Sequence, residues 1–280
     1  MNEKLQKFDF KPLSHGFLEQ PSPVKIEKVE DEAKNIKSFY FRFGRPCKAG
    51  QFLMLWIPGT GMKPMAVSYQ KGELTGITMA AVGKFSKKMF ELGEGDKIGL
   101  QGPYGTSFNL DNGKGFILVG GGYGTATMAF LADRLLERGK NVTMIIGARS
   151  KDYILYEKRL KKMKIRTVYC TDDGTYGEKG FATQMLEKLL EKEKPDCICA
   201  CGPELMMKSV FEIAEKNNIN CQLSIERYMK CGIGICGSCC VDTTGIRVCT
   251  EGTVIDGETA RKIREFGVYH RDGTAAKHSF

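Results

Sequence analysis

Through the first third of the chain, apolar residues recur at every second position in short runs. Val24 and Ile26 open one run ahead of Glu27-Lys28-Val29, and Phe39, Phe41 and Phe43 share one face of the next. Side chains of a strand point alternately to its two faces, so this period of two predicts half-buried strands. Gln51-Phe52-Leu53-Met54-Leu55-Trp56-Ile57 is a third run, stopped by Pro58-Gly59; strands at Met65–Tyr69, Leu74–Val82 and Lys97–Leu100 follow, with turns between them. That density of short strands predicts a small antiparallel barrel. The residues before it show little periodicity, and Pro21-Ser22-Pro23 marks the entry to the barrel.

The pattern changes at Gly113. Phe116-Ile117-Leu118-Val119 is continuously apolar, as in a strand buried on both faces. A helix over Ala126–Arg138 follows, then a strand at Val142–Ala148, a helix near Ile154–Met163, a strand at Arg166–Cys170 and a helix at Ala182–Lys192. A strand at Cys197–Cys201 and a helix at Glu204–Glu215 complete the series. Strand and helix alternating in this way predict a parallel, doubly wound sheet. The expected division is an N-terminal arm (1–21), a barrel (22–112), an α/β domain (113–220) and a small third domain (221–280).

Composition adds limits rather than detail. With 280 residues, 42% hydrophobic and 27% charged, the chain reads as an ordinary globular protein of about two or three domains. No apolar run approaches the ~18–20 residues of a membrane span, and Met1-Asn2-Glu3-Lys4-Leu5-Gln6-Lys7 lacks the apolar core of a signal peptide. The expected location is the cytoplasm, with no membrane partner. Net charge is +9, but the basic residues are scattered among acids, and the densest run, Lys158–Lys164, reads as the solvated face of a helix. No nucleic-acid motif accompanies it; an anionic cofactor or partner fits such a charge as well.

Eleven cysteines change the picture. Cys231, Cys236, Cys239 and Cys249 have the spacing C-x4-C-x2-C-x9-C, and the first three follow the plant-type [2Fe–2S] pattern, in which four thiolates hold two irons. Gly232, Gly234 and Gly237 lie between them and let the backbone fold tightly with N–H groups turned to sulfur. A structural zinc site favours two short C-x2-4-C pairs, and unligated thiols are the remaining reading. Cys240 reads as a bystander. Cys197, Cys199 and Cys201 alternate along a buried strand, where packing is the simplest role.

Gly120-Gly121-Gly122-Tyr123-Gly124 lies between a strand and a helix, where glycines admit a pyrophosphate and the helix N-terminus favours the anion. Cys201-Gly202-Pro203 ends the last buried strand, at the sheet edge where ligands bind and where a small thiol can meet a nicotinamide ring. Asp172 and Asp173, in Thr171-Asp172-Asp173-Gly174, end another strand on that edge; they can bond ribose hydroxyls or cap a turn. No Arg or Lys falls between Thr171 and Glu178 to welcome a 2′-phosphate, which predicts NADH over NADPH. In the barrel, Lys63-Pro64-Met65-Ala66-Val67-Ser68 offers a cation, backbone and a hydroxyl for a phosphate and a flat ring. Val82-Gly83-Lys84-Phe85-Ser86 precedes a helix over Lys87–Leu92 with Ser86 as its N-cap, a second place for an anion.

In order and spacing these segments, with Gly50-Gln51-Phe52 and Gly102-Pro103-Tyr104-Gly105, resemble the ferredoxin–NADP reductase superfamily. Within it they are similar to the family of electron-transfer subunits of NAD-dependent (class 1B) dihydroorotate dehydrogenases; the tail Glu265–Gly273 fits as well. The resemblance covers roughly residues 22–280 and implies a β plus α/β fold: an FAD-binding barrel, a Rossmann-like NAD domain and a C-terminal [2Fe–2S] domain. The family's Arg-Pro-x-Ser flavin motif falls, anchored on its serine, on Met65-Ala66-Val67-Ser68, the register preferred here. Anchored on its proline it falls on Lys63-Pro64-Met65-Ala66. The second flavin segment maps near Ala80-Ala81-Val82 and the third onto Phe85-Ser86, while Tyr123 and Thr125-Ala126 depart from the family's glycine turn.

The resemblance implies electron relay between NAD and the FMN of a catalytic dihydroorotate dehydrogenase subunit in pyrimidine synthesis, in a heterotetramer with two copies of each subunit. Dihydroorotate chemistry itself belongs to that partner. Related modules serve sulfhydrogenases and electron-bifurcating transhydrogenases, and a non-enzymatic iron–sulfur redox sensor is the alternative of another class.

Overall fold

A computed structural model describes residues 20–280. Residues 1–19, which carry most of the expected arm and the whole of the leader reading, lie outside the described residues. Strands β1 (Ser22–Ala33), β2 (Ile36–Arg42), β3 (Phe52–Ile57), β4 (Gly61–Lys71), β5 (Leu74–Ala80) and β6 (Lys97–Tyr104) form a closed barrel in the order β1-β2-β5-β4-β3-β6. Helix α1 (Lys84–Phe90) lies between β5 and β6. The alternation in β2 is the one the sequence predicts: Phe39 and Phe41 are fully buried and Phe43 nearly so. They meet Ile26, Leu53, Val67 and Ile77 inside the barrel.

The second unit is β7 (Gly115–Gly121), α2 (Thr125–Glu137), β8 (Asn141–Ala148), α3 (Glu157–Met163), β9 (Arg166–Thr171) and β10 (Glu178–Lys179), followed by α4 (Ala182–Leu190), β11 (Cys197–Cys201), α5 (Glu204–Lys216) and β12 (Asn220–Ser224). The sheet order is β10-β9-β8-β7-β11-β12-β13, parallel except for β13 (Val254–Asp256), which runs antiparallel to β12. After β7 the chain adds strands on one side, then returns to β7 and continues on the other. The switch point therefore lies between β7 and β11, and its carboxyl end is a crevice. Cys197 and Cys199 are fully buried and pack in the core, as the strand pattern predicts.

Two expectations are corrected. The boundary set at 220/221 falls inside β12, because that strand completes the parallel sheet beside β11 before the chain enters the third segment. Helix α3 starts at Glu157 rather than near Ile154: Tyr156 adopts φ +62°, which stops helical propagation. Its phenol is buried and bonds the hydroxyls of Thr78 and Ser38 in the barrel, so a contact between domains overrides local helix preference.

The third segment has little regular structure until α6 (Val248–Glu251), β13, α7 (Gly257–Lys262) and a hairpin of β14 (Tyr269–Arg271) with β15 (Lys277–Ser279). It shares a core with α5 and with Phe52 and Met54, which β3 turns away from the barrel interior. Thr253 Oγ1 donates to the carbonyl of Gly50, 2.9 Å away, and Val254 N–H to Thr106 Oγ1, 2.8 Å away, which ties this segment to the barrel. Among the described residues no helix is long and apolar enough to cross a membrane.

Candidate functional site

A cavity of about 650 Å³ opens where the barrel, the switch-point edge of the sheet and the start of the third segment meet. On the barrel side, Lys63, Pro64, Met65 and Ala66 of β4 line it, with Ala80, Val82, Phe85 and Ser86 beyond β5. Val67 and Ser68 do not. Val67 packs in the barrel core and Ser68, 2% exposed, accepts a hydrogen bond from Thr78 Oγ1 at 2.9 Å. β4 runs from the cavity wall into the core: residues 63–66, where the proline-anchored register of the flavin motif falls, line the cavity, while Ser68, the anchor of the preferred register, is buried. Ala81 is off the wall as well, its N–H donating to the carbonyl of Asn35. Lys63 extends over the Tyr228 ring, 4.3 Å from its centre, and donates to its hydroxyl.

Ser86 is not the N-cap of its helix. Gly83 caps, with extended backbone, and Ser86 is the third helical residue. Its hydroxyl accepts the N–H groups of Val82 and Gly83, both at 3.0 Å. This back-reach from the third position is half of a capping box. It fixes the loop that borders the cavity, and the helix therefore begins at Lys84 rather than Lys87.

On the sheet side, Gly124 and Cys201 line the cavity, while Gly120, Gly121 and Gly122 stand behind them in the turn. A Cβ on Gly124 would collide with the carbonyl of Cys201, and one on Gly202, at φ +153°, would lie 2.9 Å from the backbone of Gly121. Those two glycines allow the turn after β7 to press on the end of β11; Pro203 packs against Gly121 from the other side. Thr125 then opens α2, its N–H bonded back to the carbonyls of Gly122 and Tyr123. The Cys201 thiol is pushed up to about 12 by burial, and next by Glu226; it is a neutral thiol at physiological pH.

The sequence reading missed Glu226 and Arg227. Glu226 follows β12 directly and opens into the cavity beside Cys201 and Tyr123. Glu226 is exposed at the cavity wall, where partial loss of water around the carboxyl, and next Glu204, push it above the usual carboxylate range. Arg227 also reaches the wall, but its guanidinium is buried between Glu204 and Glu265. Their only sequence signal was an adjacent pair of opposite charges after an apolar strand.

Asp172 and Asp173 lie outside the cavity, exposed at the carboxyl end of β9 on the same edge of the sheet. Asp173 is occupied as a turn cap, accepting from Thr175 N–H and Oγ1 at 3.0 and 2.7 Å, which lowers its pKa. Asp172 makes no such bond among the described residues. The carbonyl of Arg149, after β8, accepts the N–H of Asp173, which places a cation on this edge that the window Thr171–Glu178 does not contain.

Backbone N–H groups turn toward the sulfurs of the motif cysteines: Ile233 N–H donates to Cys231 Sγ at 3.5 Å. Gly234 N–H donates to Cys249 Sγ at 3.1 Å and Cys249 N–H to Cys239 Sγ at 3.4 Å. Gly232, Gly234 and Gly237 have φ of +74°, +78° and +68°, the left-handed turns that allow the chain to wrap its sulfurs. Burial opposes ionisation of Cys236, yet bonds from Ser238 and Cys231 hold it at about 6; the Cys249 bond, against burial, holds Cys239 at about 6. Four thiols fringed by backbone N–H groups fit a two-iron cluster. Cys240 takes part in a bridge with Arg247.

Comparison with known proteins agrees with this division. Residues 226–260 match the iron–sulfur cluster binding domain of dihydroorotate dehydrogenase B, and residues 118–212 an oxidoreductase NAD-binding domain. A probable dihydroorotate dehydrogenase B (NAD+) electron transfer subunit of Methanocaldococcus jannaschii is 45% identical, over 93% of this chain and 99% of its own. That of Methanothermobacter thermautotrophicus is 42% identical over 90% and 95%. Among solved structures, an NADH-dependent reduced ferredoxin–NADP oxidoreductase studied for flavin-based electron bifurcation superposes with a TM-score of 0.78 at 29% identity, covering 85% of this chain and 90% of its own. An Amycolatopsis cytochrome P450 reductase shares the fold alone, with a TM-score of 0.63 at 20% identity over 71% and 68%.

Proposed function

The chain belongs to the family of dihydroorotate dehydrogenase B electron-transfer subunits, and we propose that the 650 Å³ cavity is its flavin site, the Cys201 end of that cavity its nicotinamide site, and the four motif thiols its cluster site. Its activity is NAD-linked electron relay between FAD, a [2Fe–2S] cluster and a catalytic dihydroorotate dehydrogenase subunit, in pyrimidine biosynthesis. When bound, the flavin exchanges a hydride with nicotinamide and single electrons with the cluster. The protein's part is to hold these groups and keep water from them. Lys63 supplies positive charge and Pro64–Ala66 a flat apolar wall; the loop fixed by Ser86 closes the barrel side. The glycine turn and Thr125 receive the coenzyme's pyrophosphate, Cys201 offers a small neutral surface to the nicotinamide, and Asp172 faces the adenosine ribose. Cys231, Cys236, Cys239 and Cys249 bind the irons.

The observation that carries this reading is the set of four motif cysteines, with left-handed glycines between them and N–H groups turned to sulfur, on a segment that returns to both the barrel and the sheet. A heterotetramer with two copies of each subunit, in the cytoplasm, completes the proposal. Because an electron-bifurcating oxidoreductase shares the fold at 29% identity, the test must separate the two. Co-purification from native cells should recover a catalytic dihydroorotate dehydrogenase subunit, and the complex should reduce NAD+ with dihydroorotate. A complex that lacks that subunit and couples NADH to ferredoxin and NADP would establish the other reading.

A further inference from the structure

Phe52 belongs to two surfaces at once. On β3 it pairs with Ala66 of the cavity wall, and its ring, 3% exposed, lines the cavity itself. The same ring is part of the core of the third segment, together with Cys239, Val248 and Cys249. A Cβ on Gly232, which follows Cys231 directly, would lie 3.6 Å from Phe52 Cε2 and 2.9 Å from Met54 Cγ. On the other side, a Cβ on Gly105 would lie 3.1 Å from Phe52 Cδ1 and Cε1. Tyr104 tilts against the ring with 5.9 Å between centres. Gly105 and Gly232 are both left-handed, at φ +81° and +74°, so bare backbone closes on the ring from both sides. Met54, the next residue on this face of β3, meets the same glycine but is not part of the cavity wall.

One packed side chain thus separates the cavity from the residue beside a cluster ligand. We propose that electrons cross between the flavin cavity and the cluster loop by way of Phe52. This rests on the placement of flavin and cluster proposed above. With NADH as donor, one electron at a time leaves the reduced flavin and converts a ferric ion of the cluster to ferrous, and the flavin's proton goes to solvent. The ring is neither oxidised nor reduced. It fills the gap with atoms in contact and holds the loop at a fixed separation. Electron tunnelling weakens steeply across empty space, and a void in place of the ring forfeits its contacts on both sides.

The test mixes the full chain, with FAD and cluster bound, with NADH in an anaerobic stopped flow and follows flavin bleaching and cluster reduction separately. Phe52→Ala should leave bleaching unchanged and slow cluster reduction by about tenfold, the scale of a sub-ångström loss of position in an oriented reaction. Phe52→Leu keeps most of the apolar fill and should fall between the two. FAD, iron and sulfide contents should match wild type, as should the reduction potentials of both groups and the resonance spectrum of the reduced cluster, because Phe52 carries neither charge nor hydrogen-bond donor. Met54→Ala loosens the loop without removing the bridge and should slow the transfer far less than Phe52→Ala. Equal slowing by Met54→Ala, or wild-type transfer in Phe52→Ala, would refute the crossing at Phe52 while leaving the two sites in place. If Phe52→Ala loses FAD or cluster, Phe52→Leu decides, and a wild-type rate there refutes the proposal. If NADH bleaches the wild-type flavin and the cluster never becomes reduced, the relay itself is wrong and the crossing falls with it.

Discussion

Arg227→Ala would remove the cation shared by two carboxylates in the interior. The three side chains are 3%, 6% and 3% exposed for Arg227, Glu204 and Glu265. The guanidinium donates to Glu204 Oε2 and Oε1 at 2.6 and 3.1 Å and to Glu265 Oε1 at 2.9 Å. Breaking a buried pair by deleting one partner costs about 3–5 kcal/mol, because the remaining charge is stranded. Here two charges are stranded, but each keeps one backbone donor: Gly267 N–H to Glu204 and Asp242 N–H to Glu265. Those bonds offset part of the second charge, so the expected loss stays at about 3–5 kcal/mol. Urea unfolding of the cofactor-bound protein, compared at equal slope, measures it. The pH dependence tests the cause. In the variant, burial without a cation raises both carboxyl pKa values above the unfolded glutamate value of about 4.3. The folded state then holds more protons than the unfolded state, so these groups make stability fall as pH rises from there through their raised values. The gap to wild type should narrow as pH is lowered from 7 toward 5. Adding Glu204→Gln and Glu265→Gln should recover most of the loss at pH 7. A loss below about 1 kcal/mol, or a gap that widens on acidification, would show that the three groups are not the enclosed ionic unit described.

Cys236→Ser should lower iron and acid-labile sulfide from about two of each per chain toward none while FAD is retained, since the two sites use separate segments; stoichiometric zinc without sulfide would sink the cluster assignment. Wild type should prefer NADH to NADPH in steady-state reduction of an artificial acceptor. Asp172→Ala should raise KM for NADH more than Asp173→Ala, whose carboxylate is committed to Thr175; the reverse order would move the ribose contact to Asp173. Gly124→Ala forces a methyl group onto the Cys201 carbonyl, and displacement of the turn should reduce coenzyme-linked turnover about 10²-fold with little change in cluster content. Normal turnover would show that the turn does not position the coenzyme.

Much of the architecture was legible because burial imposes a period. Phe39, Phe41 and Phe43 alternate since one face of β2 fills the barrel, and the apolar run Phe116–Val119 reflects a strand covered on both sides. Strand β12 was not legible. Its centre holds Gln222, a polar residue that is buried only because it exchanges two hydrogen bonds with the backbone of Asn109, at 2.7 and 3.0 Å. The cysteine spacing was local and therefore readable; how the chain wraps the four sulfurs depends on the left-handed glycines. Which part of residues 63–68 faces the cavity was not legible, because they are contiguous and only those at the mouth of β4 line it. Glu226 and Tyr123 are a hundred residues apart in the chain, and only the sheet topology places both on the cavity wall.

The antiparallel strand β13 has a consequence for handling the protein. It pairs with β12 through Gln222, Leu223 and Ser224, against Asp256, Ile255 and Val254, and it is the far border of the seven-stranded sheet. An unpaired strand edge presents free N–H and C=O groups that recruit other chains. The border of the coenzyme sheet is thus guarded by three residues that follow the cluster loop directly. If the loop loosens when iron is lost, β13 can detach and leave a longer unpaired edge at Asn220–Ser224 in contact with solvent. Cluster loss should then register first as self-association, before any change in the barrel, and oxygen-damaged preparations should turn turbid while their flavin is still bound.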